Sequence, residues 1–167
     1  MGMGVDFLEK TLEEIVFENK DTVKDRGFMS FYQHTFRQYY LPSGKKIDIF
    51  SYEIVDNILY FRIVELKKEC LNYAAFKQIM VYFFEVLEHT LGHFSKVEGK
   101  LTLVGKILDT DAFLLSENGG LLEFYLYKYT YDGIYFKKVF PHSPDEPPMP
   151  ETLKPNIQFC EKLSEGK

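Results

Sequence analysis

Tryptophan is absent from this chain of 167 residues, and cysteine is confined to Cys70 and Cys160, far apart and outside any C-x-x-C pair. That spacing excludes a zinc ribbon or a disulfide framework and is expected of two reduced thiols in a cytoplasmic protein. The N-terminus has no basic-then-apolar signal region. The apolar run over 76–87 is broken by Lys77, Gln78 and Glu85 and is too short to span a bilayer, so no membrane partner is expected. Positive charge is also in deficit. The formal net charge of −5 provides no global field to draw in nucleic acid, so any such contact must come from a local patch, with metal ions offsetting carboxylates.

What is present is the balance of one globular domain. Hydrophobic residues make up 46% and charged residues 27%, enough to bury a single core. The aromatic share of 17%, all Phe and Tyr, is that of a tightly packed sheet. Six of the seven prolines fall between Pro141 and Pro155, so the domain is expected over 1–140 and an extended Pro-rich tail over 141–167. Within the domain, Leu8, Leu12, Ile15 and Val16 recur at helical spacing and predict an amphipathic helix over 6–19, with Asp6 as its N-cap. A loop is expected to follow it. Strands are expected over 36–41, 46–55 and 58–67, punctuated by Pro42-Ser43-Gly44 and by Asp56-Asn57, which should close an antiparallel hairpin. The stretch from 72 or 73 to about 88 is apolar almost all round, as for a helix packed on a sheet. A strand over 97–108, a short helix or loop over 109–117, and a final hairpin of 121–131 and 134–140 around Asp132-Gly133 complete the domain. That order implies an α/β fold, a mixed β-sheet flanked by α-helices.

The chemistry concentrates in Lys46-Ile47-Asp48-Ile49 and Val64-Glu65-Leu66-Lys67. Residues two apart in a strand share a face, so Glu65 and Lys67 continue the row begun by Leu59, Phe61 and Ile63. A carboxylate and an amine in a hydrophobic row cost several kcal/mol unless they are paired or hold a metal. Asp48 interrupts Ile47 and Ile49 on the neighbouring strand, and the hairpin would bring both carboxylates to one edge. Two carboxylates with an adjacent backbone carbonyl, that of Leu66, suit a hard cation such as Mg²⁺ or Mn²⁺. An E-x-K triplet alone is weak evidence; the next helix adds to it. Gln78 and Tyr82, four residues apart, form a polar stripe with Glu85 and His89, and Ala74 and Ala75 permit a close approach to the sheet.

The order Asp48, Glu65-Leu66-Lys67, Gln78 and Tyr82 resembles the PD-(D/E)XK nuclease superfamily, and within it the nuclease domain of NucS/EndoMS-like endonucleases. The stretches Leu12–Asn19, Phe36-Arg37-Gln38, Pro42–Asp48, Glu65-Leu66-Lys67-Lys68 and Gln78–Tyr82 carry the likeness over about residues 6–140. It implies a restriction-endonuclease-like fold, a metal bound by Asp48 and Glu65, Lys67 as the catalytic lysine, and Gln78 and Tyr82 lining the site. It also implies a glutamate from the first helix, for which Glu9 is favoured and Glu13 stands second. Arg37 would contact a phosphate or brace a carboxylate, and the acidic charge balance leaves Lys45, Lys46, Lys67, Lys68 and Arg37, with Arg26 as a further candidate, to bind nucleic acid.

Two features depart from that family. Nothing before Asp6 could be the separate N-terminal domain of NucS-like enzymes, and the charge balance is acidic. A bare nuclease core of this kind could need a partner protein or a second subunit, so a homodimer is an open expectation alongside DNA. The expected activity is metal-dependent endonucleolytic hydrolysis of phosphodiester bonds in DNA. The competing reading is a non-catalytic nuclease-fold module that binds nucleic acid or a protein. His89 and His93 have helical metal spacing, but no H-E-x-x-H pattern accompanies them.

Overall fold

The alternation of Ile47, Ile49 and Ser51 with polar or aromatic neighbours sets up the second strand of a six-stranded mixed sheet. The computed structural model describes residues 9–108, 121–130 and 133–140. Helix α1 (Glu9–Glu18) is followed at once by α2 (Lys20–Asp25), where a loop was expected. The strands are β1 (His34–Tyr40), β2 (Lys46–Val55), β3 (Ile58–Leu66), β4 (Cys70–Leu71), β5 (Lys96–Gly105), β6 (Ile107–Leu108), β7 (Leu122–Thr130) and β8 (Gly133–Phe140), with α3 (Tyr73–Thr90) between β4 and β5. The expected Asp6 cap, the segment 109–117 and the tail 141–167 lie outside the described residues.

Local chemistry explains the main boundaries. Asp56 and Asn57 both adopt positive φ, 51° and 61°, which gives the two-residue turn a twist matching its strands and pairs β2 with β3 in antiparallel register. Asn72 caps α3, its side chain accepting the Ala75 amide at 3.0 Å. After α3 the chain returns as β5, parallel to β3; such a pairing needs a long crossover, and the helix supplies it. The short β4 and β6 form a separate parallel pair that periodicity did not reveal.

The sheet order is β1-β2-β3-β5-β7-β8, antiparallel at both sides and parallel through β3, β5 and β7. Where the central strands run side by side they are mostly apolar on both faces, as buried parallel strands require, with Arg62, Thr102 and Glu123 as a buried polar exception. Phe61, Ile63, Leu101, Leu103 and Phe124 pack with Ala75, Ile79 and Val86 of α3. On the opposite face Val64, Leu66, Val104 and Tyr125 pack with Leu12 and Val16 of α1 and Val23 of α2. Each fully buried large side chain contributes roughly 1.5–3 kcal/mol. Gly99 has a specific packing role: a β-carbon there would meet the Phe83 ring at 2.7 Å, so its absence lets α3 settle on β5. Among the described residues, no helix is long and apolar enough to cross a membrane.

One irregularity sets up the site. Ile47 and Ile49, two apart, belong to opposite cores. Between them Asp48 has no ladder partner: the β2–β3 register stops at Ile49–Val64, and the β1–β2 register skips from Arg37–Ile49 to Tyr39–Ile47. Gln38, across from Asp48, has φ 52°.

Candidate active site

Where the β2–β3 ladder ends, side chains take over its hydrogen bonds. The Leu66 amide donates to Asp48 Oδ2 at 2.9 Å, and the Asp48 amide donates to Glu65 Oε1 at 3.2 Å. The two carboxylates are thereby interlocked at the fork between the strands. Glu65 is buried and Asp48 half-buried. Burial, then the neighbouring Asp48 charge, pushes the Glu65 carboxyl up to about 9. Burial likewise raises Asp48, against the Leu66 amide that stabilises its ionised form. Both carboxyls are therefore harder to ionise in the folded protein than in water.

Lys67 follows on the same side as Glu65. Its amine donates to Gln78 Oε1 at 2.7 Å and lies 3.9 Å from Glu65 Oε2. Gln78 in turn donates through Nε2 to Tyr82 Oη at 2.8 Å, across one turn of α3. Burial and the Glu65 charge raise the Tyr82 phenol above its ordinary range, so it remains a neutral hydroxyl. The expected group of Asp48, Glu65, Lys67, Gln78 and Tyr82 therefore meets at one end of β3. A cleft of about 420 Å³ opens beside it, lined by Lys67, Lys68, Cys70, Asn72, Ala75 and Gln78.

From the first helix, Glu13 reaches this region. Glu9 begins α1, and its side chain lies outside the described ones. Glu13 is only 3% exposed, accepts Arg37 Nε at 3.0 Å and Gln38 Nε2 at 3.2 Å, and its charge acts on Asp48. Arg37 also reaches Glu14 Oε1 at 3.4 Å. Arg37 thus braces the Glu13 carboxylate. Gln38 was not singled out as a site residue, because a left-handed backbone at a glutamine leaves no mark in composition or periodicity.

The other basic residues are spread around the rim. Lys46 Nζ donates to Gln38 Oε1 at 2.9 Å, and Lys45 lies 4.0 Å from Glu85. Lys68 lines the cleft, while its carbonyl accepts the Tyr127 hydroxyl at 2.6 Å. Arg26 is elsewhere, 4.8 Å above the Tyr135 ring. Among the described residues no group of three or more His, Cys, Asp and Glu side chains is gathered as a metal cage. Asp48 and Glu65 offer hard oxygen donors in a pair, and that fits a cation such as Mg²⁺, which takes one or two carboxylates and fills its shell with water and phosphate.

The fold and this edge define a class: an α/β mixed sheet with flanking helices and a polar fork where two antiparallel strands part. No family model matches the sequence, and no curated protein matches it. Among solved structures, the chain is similar to the crystal structure of a repair endonuclease from Pyrococcus abyssi, with a TM-score of 0.50 and 24% sequence identity. The match covers 70% of this chain and 45% of that one, so this chain spans less than half the length of that protein. The likeness is one of fold, a mixed α/β sheet with flanking helices.

Proposed function

We propose that this protein is a metal-dependent endonuclease of the PD-(D/E)XK type that hydrolyses phosphodiester bonds in DNA. The observation that carries the reading is the interlocked Asp48–Glu65 pair with Lys67 beside it, its amine 3.9 Å from Glu65. Two acids buried together without a function would lower stability, since burial raises the pKa of both and the Asp48 charge raises Glu65 further. The fold shared with a repair endonuclease supports the same reading. The family implied is that of NucS-like nuclease domains.

Asp48, Glu65 and the Leu66 carbonyl are the groups that would hold Mg²⁺ or Mn²⁺. When bound, such a cation would supply Lewis acidity toward the phosphate and lower the pKa of water. The rest of the chemistry belongs to the chain. Gln78 fixes the Lys67 amine at 2.7 Å, so that its positive charge faces the cleft. There it would orient an attacking water and stabilise the negative charge that builds on the phosphate oxygens. Tyr82 holds Gln78 in place. Arg37 secures Glu13, and Lys45, Lys46 and Lys68 at the rim would contact the nucleic-acid backbone. Since these cations are few, a second subunit or a partner protein would help to hold the substrate.

The test is incubation of purified protein with single-stranded, duplex and branched DNA, and with RNA, in Mg²⁺ or Mn²⁺ beside an Asp48→Ala control. Cleavage that requires the metal and disappears in the control is the expected result. Cleavage that persists in the control, or no cleavage together with no metal binding by calorimetry, overturns the reading; the second outcome would favour a non-catalytic binding module.

A further inference from the structure

Both oxygens of the buried Glu13 carboxylate are held by consecutive residues of β1. Oε1 accepts from Arg37 Nε at 3.0 Å and Oε2 from Gln38 Nε2 at 3.2 Å. In a regular strand adjacent side chains point to opposite faces, so two neighbours cannot normally grip one carboxylate. Here they can because Gln38 leaves the extended region, with φ 52°. That conformation is unfavourable for a residue with a β-carbon and persists only where its surroundings enforce it. Gln38 also stands across from Asp48, at the position both registers omit. The kink therefore coincides with the point where Asp48 is released from the ladder.

The amide has a defined orientation. Lys46 Nζ, a donor only, lies 2.9 Å from Gln38 Oε1, which leaves Nε2 to face Glu13. Lys46, Gln38 and Glu13 thus form a chain from the rim into the carboxylate cluster, each link with a donor and an acceptor matched.

We infer that Gln38 is a positioning residue for the carboxylate cluster: its left-handed backbone and its amide, oriented by Lys46, fix the Glu13 carboxylate at the β1 position across from Asp48. This rests on the nuclease reading of the same site and adds to it a residue that would touch neither metal nor substrate. Partners of this kind typically change metal affinity or activity 10- to 100-fold when lost. A role confined to stability would change the melting temperature instead.

The experiment uses the full chain and Gln38→Gly, which accepts the left-handed backbone and removes the amide. Mn²⁺ binding is measured by calorimetry, kcat and KM on DNA by initial rates, and Tm by calorimetric scanning. The expected result is Mn²⁺ affinity weakened roughly 10-fold or more and kcat lowered to a similar extent, with KM for DNA held within about two-fold. Lys46→Met should weaken Mn²⁺ affinity and kcat in the same direction but less, with its own loss of DNA contact showing in KM. In Mn²⁺ affinity and kcat the double variant should be no worse than Gln38→Gly alone, as for residues in one chain. Mn²⁺ affinity and kcat within two-fold of the parent, a change in Tm alone, or effects on Mn²⁺ affinity and kcat that multiply in the double variant would each overturn the proposal. If the parent protein neither binds Mn²⁺ nor cleaves DNA, the nuclease reading has failed. The positioning role is then judged on the metal-free protein by NMR: shifted Asp48 and Leu66 amide resonances in Gln38→Gly sustain it, and unmoved ones overturn it.

Discussion

The Lys67 amine lies 2.7 Å from the Gln78 carbonyl oxygen, a bond that ties the residue just past β3 to the second turn of α3. It sets the direction of the only side-chain cation within 4.0 Å of Glu65 among the described residues. Gln78→Leu should therefore lower kcat by roughly 10- to 100-fold, the usual effect of displacing a reacting group by about an ångström. KM and Tm should change little. A large loss of Tm with kcat retained would show that Gln78 serves packing alone.

Lys67→Met keeps most of the hydrocarbon stem and removes the charge. It should reduce kcat by roughly 100- to 1000-fold, as for loss of one electrostatic contact to developing charge. Mn²⁺ affinity should stay the same or increase, since a cation near the carboxylates has gone. Calorimetry together with single-turnover rates checks both halves, and full activity in this variant would remove Lys67 from the mechanism.

The raised Glu65 carboxyl has a consequence for stability. Its folded-state value of about 9 lies above its ordinary 4.5, so between those limits the folded protein binds more protons than the unfolded chain. The contribution of Glu65 to the stability of the metal-free protein then falls as pH rises from about 5 to about 9. The raised Asp48 acts in the same direction. Glu65→Gln should flatten that slope and raise Tm at pH 8 by roughly 5 °C or more. Mg²⁺ should oppose the decline in the parent protein only. Thermal scans at several pH values decide it, and an unchanged slope in the variant would refute the assignment.

Arg37 and the rim lysines should separate in their salt dependence. Arg37 is engaged by Glu13 and Glu14, whereas Lys45 and Lys46 are exposed. Lys45→Ala and Lys46→Ala should each reduce the slope of log affinity for DNA against log salt by about 1. Arg37→Ala should leave that slope unchanged and instead lower Tm, because it strips a partner from a buried carboxylate. Fluorescence anisotropy over a salt series measures the slopes. A reduced slope for Arg37→Ala would return that residue to the substrate surface.

Much of this architecture was legible in the chain because the signals are local. The β2 span 46–55 follows from alternation bounded by Gly44 and Asp56-Asn57, and α3 follows from an apolar helical pattern opened by Asn72. The grouping of Glu65 and Lys67 needs only the two-residue repeat of a strand, and Gln78 with Tyr82 only the turn of a helix. Tertiary structure decided what depends on residues distant in sequence. That the Glu13 charge acts on Asp48 depends on how α1 lies on the sheet, and periodicity puts Glu9 and Glu13 on the same face. The short β4 and β6 exist because each pairs with the other, more than 30 residues away in sequence, not because either has a pattern of its own. Whether Asp48 points into a ladder or out of it is a matter of register, and register is settled by the strained backbone at Gln38 and by side chains that replace backbone hydrogen bonds. Those interactions arise only once three strands and a helix have met.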